Sequence, residues 1–162
     1  MNIRIGFSTS KTSWISKAIR WFTAGKSSHT FVVYEDTNFG RTMVMEATQG
    51  GFKITPFSQY EPSIVAIYTP KYPIDTGLKV AIDWLGEGYN YEGLFGMAWV
   101  ELGRWLKRKW RNPWRSSTTM FCSEAVARIM KDSSYPGTEG WEVQSVDPEM
   151  LIEFFEAEKA TS

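Results

Sequence analysis

Four strand-like segments joined by short connections constrain this chain more than any other feature. They are "HTFVVYED" (29–36), "TMVMEAT" (42–48), "FKITPF" (52–57) and "SIVAIYTP" (63–70). β-branched and aromatic residues, which favour strands, dominate these segments, and "TNFG" between the first two is typical of a turn. Connections this short join antiparallel neighbours. We therefore expect an antiparallel meander of four strands, preceded by a short strand in "NIRIGFS".

Helical patterns lie on both sides of these strands. Apolar residues recur at helical spacing in 12–22, 75–86, 91–110 and 121–131. Thr118 or Thr119 is the expected N-cap of the helix over 121–131. A last helix is expected in "VDPEMLIEFF", with Asp147 as N-cap and Pro148 at the first helical position. The pattern predicts an α+β fold, a small antiparallel sheet packed against helices, in a single domain spanning 1–162.

Composition excludes several classes of function. Lys+Arg and Asp+Glu number 18 each, so no net charge attracts nucleic acid, and no nucleic-acid partner is expected. One cysteine excludes an internal disulfide framework and a multi-cysteine zinc site, and one histidine leaves few other metal sites, so no metal is expected. The N-terminus lacks a signal-peptide pattern and no segment has the length of a membrane span. We expect a protein that is cytoplasmic as synthesised, with later release still open.

The single cysteine and the single histidine are the candidate catalytic residues. Cys122 lies where the helix over 121–131 begins, and unpaired N–H groups and the helix dipole stabilise a thiolate there. The same N–H groups can donate to an oxyanion. His29 opens a strand, a rigid position for a general base. Each residue has a structural alternative: a small core cysteine, and a polar residue satisfied at a strand start.

Glu46 is the candidate third member of the site, because an acid inside the apolar strand "TMVMEAT" needs a reason to be there. If 29–36 and 42–48 form a hairpin in which Glu35 pairs with Thr42, Glu46 falls on the same face as His29 and diagonal to it. A carboxylate there can orient the imidazole and stabilise its charged form. A slip of one residue would send Glu46 to the other face. Gln49 is the second candidate for this orienting role, and an edge acid is the structural alternative.

Four short motifs then occur in a characteristic order: "SHTFVVYED", "VMEATQGGFKITPF", "FCSEAVARIM" and "VDPEMLIEF". Together they resemble the permuted papain-like cysteine hydrolases, the circularly permuted branch of the NlpC-like peptidases and amidases that includes the bacterial YiiX-like group. The histidine precedes the cysteine here, as in the permuted branch. The similarity covers residues 1–70 and 118–155.

The resemblance implies a circularly permuted papain-like fold with Cys122 as nucleophile, His29 as general base and Glu46 as orienting residue. It also implies cleavage or transfer of an acyl group through a thioester, a reaction that requires no metal and no organic cofactor. Members of the family act on amide bonds of cell-wall peptides, or on acyl esters and amides of lipids and other compounds. A peptide, peptidoglycan-like or acyl-lipid substrate is therefore expected.

The same resemblance suggests which residues line the substrate site. The family fold brings the end of the first strand close to the catalytic residues, so Gly6, Ser8 or Thr9 is expected there. Ser123 and Tyr34 are the other residues expected to bind substrate.

Residues 88–117 depart from the family pattern as a basic, aromatic helical insertion. Within it, 104–115 holds six Lys/Arg and three tryptophans and no acid. This segment could contact an anionic membrane surface, bind a polyanion, or form a solvated helix end whose tryptophans pack on the core. Among the functional interpretations we favour a lid or docking surface for an anionic or lipid substrate.

The expected function is therefore a cysteine hydrolase that cleaves an amide or acyl-ester bond. One alternative is a thiol-dependent acyltransferase, in which an amine or alcohol resolves the thioester. The other is a non-catalytic binding or structural module that keeps the fold. The sequence leaves the substrate and the oligomeric state open.

Overall fold

The main feature of the protein is a five-stranded antiparallel sheet. It is seen in a computed structural model that describes residues 2–9, 25–38, 40–48, 50–89 and 119–160. Its strands are β1 (Ile3–Ser8), β2 (His29–Asp36), β3 (Arg41–Thr48), β4 (Gly51–Pro56) and β5 (Ile64–Tyr68). They are arranged in the order β4-β3-β2-β1-β5. A separate short parallel pair joins β6 (Gly88–Tyr89) to β7 (Thr119–Met120). The predicted α+β class and the antiparallel sheet are confirmed.

The prediction that the last strand of the meander lies beside β4 is wrong. β2, β3 and β4 follow one another as expected, but β5 pairs with β1 at the opposite edge of the sheet. The connection between β4 and β5 explains the difference. It forms two short 3-10 turns over 57–63 that cross one face of the sheet. Phe57 and Tyr60 from this connection cover apolar side chains that alternation along β2 and β3 places on that face.

The other face of the sheet carries the main core. It packs against the helices α1 (Asp75–Ala81), α2 (Cys122–Asp132) and α3 (Pro148–Ala160). Asp147 caps α3 as predicted, since its Oδ1 accepts the N–H of Met150 at 2.8 Å. The predicted helices over 12–22 and 91–110, and the insertion from residue 90 onward, lie outside the described residues. Within the described part of the chain, no helix has both the length and the apolar character to cross a membrane.

A backbone contact between α1 and α2 sets how closely these helices approach. Gly77 of α1 is buried, and a Cβ built on it would lie 1.9 Å from the carbonyl oxygen of Ile129 in α2. The backbone N–H of Gly77 donates to Ser133 Oγ, just past the end of α2, at 2.8 Å. Because α2 begins at Cys122, this contact helps to hold the cysteine's helix against the rest of the fold.

We expect Gly77→Ala to destabilise the protein by about 2 kcal/mol, because the clash with backbone outweighs the better helix propensity of alanine. Urea unfolding of the variant and the wild type measures this. Gly140→Ala is the matched control, since a Cβ there meets no atom within 4 Å. Equal unfolding free energies for Gly77→Ala and the wild type would contradict this close approach of α1 to α2.

Candidate active site

The pairing of β2 with β3 brings His29 and Glu46 into direct contact. Glu35 pairs with Thr42, which is the predicted register. His29 Nε2 and Glu46 Oε2 lie 2.7 Å apart. The Glu46 side chain is fully buried, whereas the His29 side chain keeps 20% exposure. An ionised carboxylate can only accept hydrogen bonds, so Nε2 is the donor and Nδ1 is the nitrogen left for another partner. The predicted contact between the two residues is confirmed.

Glu46 accepts hydrogen bonds from other side chains as well. The Tyr60 hydroxyl donates to Oε2 at 2.5 Å, and the Thr55 hydroxyl donates to Oε1 at 2.9 Å. Lys53 Nζ lies 3.8 Å from Oε1 on a half-exposed side chain. Burial by itself raises the pKa of Glu46. The hydrogen bond and charge of His29, helped by the two hydroxyls, outweigh it, so the pKa lies below its usual value.

Cys122 is the first residue of α2, and it reaches His29 from the helix side. The residue is only 4% exposed, and its sulfur is hydrogen-bonded to His29 and to backbone groups of Thr30 and Ser123. A backbone can donate only through N–H, so these two contacts favour the thiolate. Burial by itself raises the pKa of the thiol. His29 and the two N–H groups outweigh it, and the pKa of Cys122 is lowered.

The imidazole of His29 lies between two groups that are negative when ionised, the Cys122 thiol and the Glu46 carboxyl. Burial lowers its pKa, but the hydrogen bonds to Cys122 and Glu46, and the negative charges of both, raise it to about 9. Tyr60 stacks beside the ring, with centroids 5.9 Å apart and planes 28° apart. These shifts favour a thiolate–imidazolium pair between Cys122 and His29 with the Glu46 carboxylate behind the imidazole, the arrangement of an activated cysteine nucleophile.

The start of α2 differs from the predicted cap. Phe121 occupies the N-cap position, and no side chain caps the helix there. Thr119 lies in the extended strand β7, where it pairs with Gly88, so it does not cap the helix. Thr118 lies outside the described residues. The N–H of Phe121 instead donates to the carboxylate of Glu124, as in one half of a capping box. Burial raises the pKa of Glu124 to about 7, although that hydrogen bond and the charge of Arg128 oppose it.

The end of β1 adjoins the site, as expected. Ser8 pairs with His29 and is buried. Thr9 follows it, and its backbone N–H donates to the carbonyl of Ser63 at 3.1 Å. Gly6 has a packing role, because a Cβ there would lie 2.2 Å from the ring of Phe31.

Of the other residues expected to bind substrate, Ser123 uses its hydroxyl to hold the fold together and Tyr34 lies far from His29. Ser123 is fully buried, and its hydroxyl donates to the carbonyl of Val146 at 2.7 Å, which ties α2 to the segment before α3. Tyr34 lies five residues along β2 from His29. At about 3.3 Å per residue, that places the two roughly 16 Å apart. Gln49, the second candidate for the orienting role, lies outside the described residues.

Sequence reasoning missed Tyr60 and Thr55. Thr55 could have been found by extending the register to β4, because it pairs with Val44 while Lys53 pairs with Glu46, so both β4 residues share the face of Glu46. Tyr60 lies outside any strand, in the 3-10 connection, where no periodicity reveals the direction of a side chain. Among the described residues, no group of three or more His, Cys, Asp or Glu side chains is placed to hold a metal ion.

No protein-family model matches the sequence, and no curated protein is significantly similar to it. The geometry of the side chains is therefore the main support for any function assigned to the site.

The charge pattern predicts that Cys122 reacts as a thiolate at neutral pH. Alkylation by iodoacetamide should proceed at pH values below the range of an ordinary thiol, whose pKa is about 8.5. His29→Ala should slow the reaction at pH 7 by about tenfold, because the buried sulfur loses its cation and much of its thiolate fraction.

Mass spectrometry of the intact protein measures this rate, since the chain has one cysteine to label. Urea-denatured wild type is the control for an ordinary thiol. A native rate–pH curve that coincides with the denatured one would rule out an activated thiolate.

Proposed function

We propose that the protein is a cysteine hydrolase of the permuted papain-like type, which cleaves an amide or acyl-ester bond through a thioester. The observation that carries this proposal is the hydrogen-bonded chain from Cys122 through His29 to Glu46. A buried cysteine that served only packing would need neither a lowered pKa nor a histidine with a carboxylate behind it.

The contacts among Cys122, His29 and Glu46 support the following acylation step. The Cys122 thiolate attacks the substrate carbonyl carbon and forms a carbon–sulfur bond, while the carbonyl electrons move to oxygen. N–H groups of the first turn of α2 have no acceptor within the helix, so they can donate to this oxyanion. The tetrahedral intermediate then collapses, the bond to the leaving group breaks, and the His29 imidazolium gives that group its proton.

The second half of the reaction regenerates the thiolate. Neutral His29 removes a proton from water, and the resulting hydroxide adds to the thioester carbonyl. Collapse breaks the carbon–sulfur bond, expels the Cys122 thiolate and releases a carboxylic acid, while His29 keeps the proton taken from water as the imidazolium. Glu46 keeps its charge throughout and stabilises the imidazolium each time it forms.

The order of the elements supports the family within this class. The histidine strand β2 precedes the cysteine helix α2, and an antiparallel sheet packs against the helices, as the permuted branch requires. Substrates of that branch, cell-wall peptide amides and acyl esters or amides of lipids, are the substrate classes to test first.

We expect p-nitrophenyl acetate to acetylate Cys122 and to be turned over. Cys122→Ala should abolish both, because the nucleophile is gone. Glu46→Gln should lower kcat by about a hundredfold, the lower end of a general acid–base contribution. Glu35→Gln is the matched control, since Glu35 is an exposed acid in the same hairpin, away from His29.

Release of nitrophenol gives the rate, and mass spectrometry of the quenched protein detects the acetyl group on Cys122. Adding an amine or alcohol shows whether the acyl group is transferred instead of hydrolysed. Full turnover by Cys122→Ala would refute the proposed mechanism.

A further inference from the structure

Tyr60 makes two contacts with the proposed catalytic residues. Its hydroxyl donates to Glu46 Oε2, the same oxygen that faces His29 Nε2, and its ring stacks beside the imidazole. The Thr55 hydroxyl donates to Oε1, the other oxygen of the carboxylate. With donors on both oxygens, the carboxylate of Glu46 cannot rotate about its last bond without breaking hydrogen bonds.

The position of Tyr60 is set by contacts that do not involve Glu46. Its N–H donates to Phe57 O at 2.8 Å, and its carbonyl accepts the N–H and the hydroxyl of Ser63 at 2.8 and 2.9 Å. Its ring packs on Phe31, with centroids 4.7 Å apart. The 3-10 connection is tied to the end of β1 as well, because Thr9 N–H donates to Ser63 O. Replacing tyrosine by phenylalanine should therefore remove the hydroxyl and leave the ring in place.

We propose that Tyr60 is a positioning residue that holds Glu46 charged and in the one orientation that lets His29 serve Cys122. This inference rests on the proposed function. Tyr60 touches neither the sulfur nor the reacting atoms, so it acts through the carboxylate and the imidazole.

Among the described residues, the charged side chains that contact Glu46 are His29 on β2 and Lys53 on β4, and Cys122 on α2 lies beyond the imidazole. Lys53 is half-exposed and 3.8 Å away, so water screens much of its effect. In the part of the chain that the structure describes, the Tyr60 and Thr55 hydroxyls are the uncharged side-chain donors to Glu46. Their hydrogen bonds stabilise the charged carboxylate and not the protonated acid. Removing one should make Glu46 easier to protonate while leaving the fold intact.

The experiment follows the ring protons of His29 by NMR at acid pH, where His29 stays protonated. The chain has a single histidine, and its signals sense both Cys122 and Glu46. The step that is present in the wild type and absent in Glu46→Gln is the one that reports the titration of Glu46. In Tyr60→Phe the step should move up by about one pH unit, the value of one hydrogen bond to a charged group. At neutral pH the same variant should lose about tenfold in kcat on p-nitrophenyl acetate with KM unchanged.

Tyr68→Phe is the matched control, because the Tyr68 hydroxyl donates to Glu156 at the same 2.5 Å in a different part of the fold. It should leave both the step and the turnover unchanged. Thr55→Val tests the other oxygen and should move the step in the same direction, so the inference remains testable if Tyr60→Phe fails to fold.

A Tyr60→Phe variant that titrates and turns over like Tyr68→Phe would overturn this inference. So would a loss of turnover without any movement of the Glu46 step, since the effect would not then pass through the carboxylate. Either result leaves the proposed function standing as long as wild-type Cys122 is acylated. If wild-type Cys122 is never acylated but the Glu46 step still moves in Tyr60→Phe, the proposed function is refuted. The effect of the Tyr60 hydroxyl on Glu46 would still be shown.

Discussion

The buried carboxylate of Glu46 is the constraint on which the site depends. A charged group with a fully buried side chain is strongly unfavourable unless cations and donors surround it. Here His29, Tyr60 and Thr55 supply hydrogen bonds to both oxygens. They come from β2, from the 3-10 connection and from β4, so the carboxylate links three separate segments. The requirement to keep Glu46 charged also keeps His29 protonated, and a protonated His29 in turn favours the thiolate of Cys122.

The cysteine is positioned by a different part of the fold. α2 is anchored by its apolar face in the main core, by the close approach of Gly77 and by the hydrogen bond from Ser123 to Val146. The histidine belongs to the sheet and the nucleophile to a helix packed on it. Core packing between sheet and helix therefore decides whether sulfur and imidazole meet. Thr30 joins the two halves directly, because its backbone N–H on β2 donates to the sulfur of Cys122.

The sequence predicted the parts of this arrangement that local rules control. The turn after Asp36 sets the hairpin register: Asn38 N–H donates to the Asp36 side chain, and Gly40 adopts a positive φ of 58°. Given that register, alternation along the strands places Glu46 beside His29. Tyr60 and the place of β5 could not be predicted in the same way, because both depend on how an irregular connection covers the second face of the sheet. The failed threonine cap has a similar cause, since the chain before α2 is drawn into a parallel pair with β6.

The hydrogen-bonded chain from Cys122 to Glu46 is best tested through the protonation state of His29, because both neighbours act on the imidazole. NMR titration of the ring protons of this single histidine measures its pKa without a substrate. We expect an imidazolium that persists to about pH 9, and a lower pKa of His29 in Cys122→Ala and in Glu46→Gln. A wild-type pKa near the ordinary value of about 6.5, unchanged in both variants, would contradict this expectation.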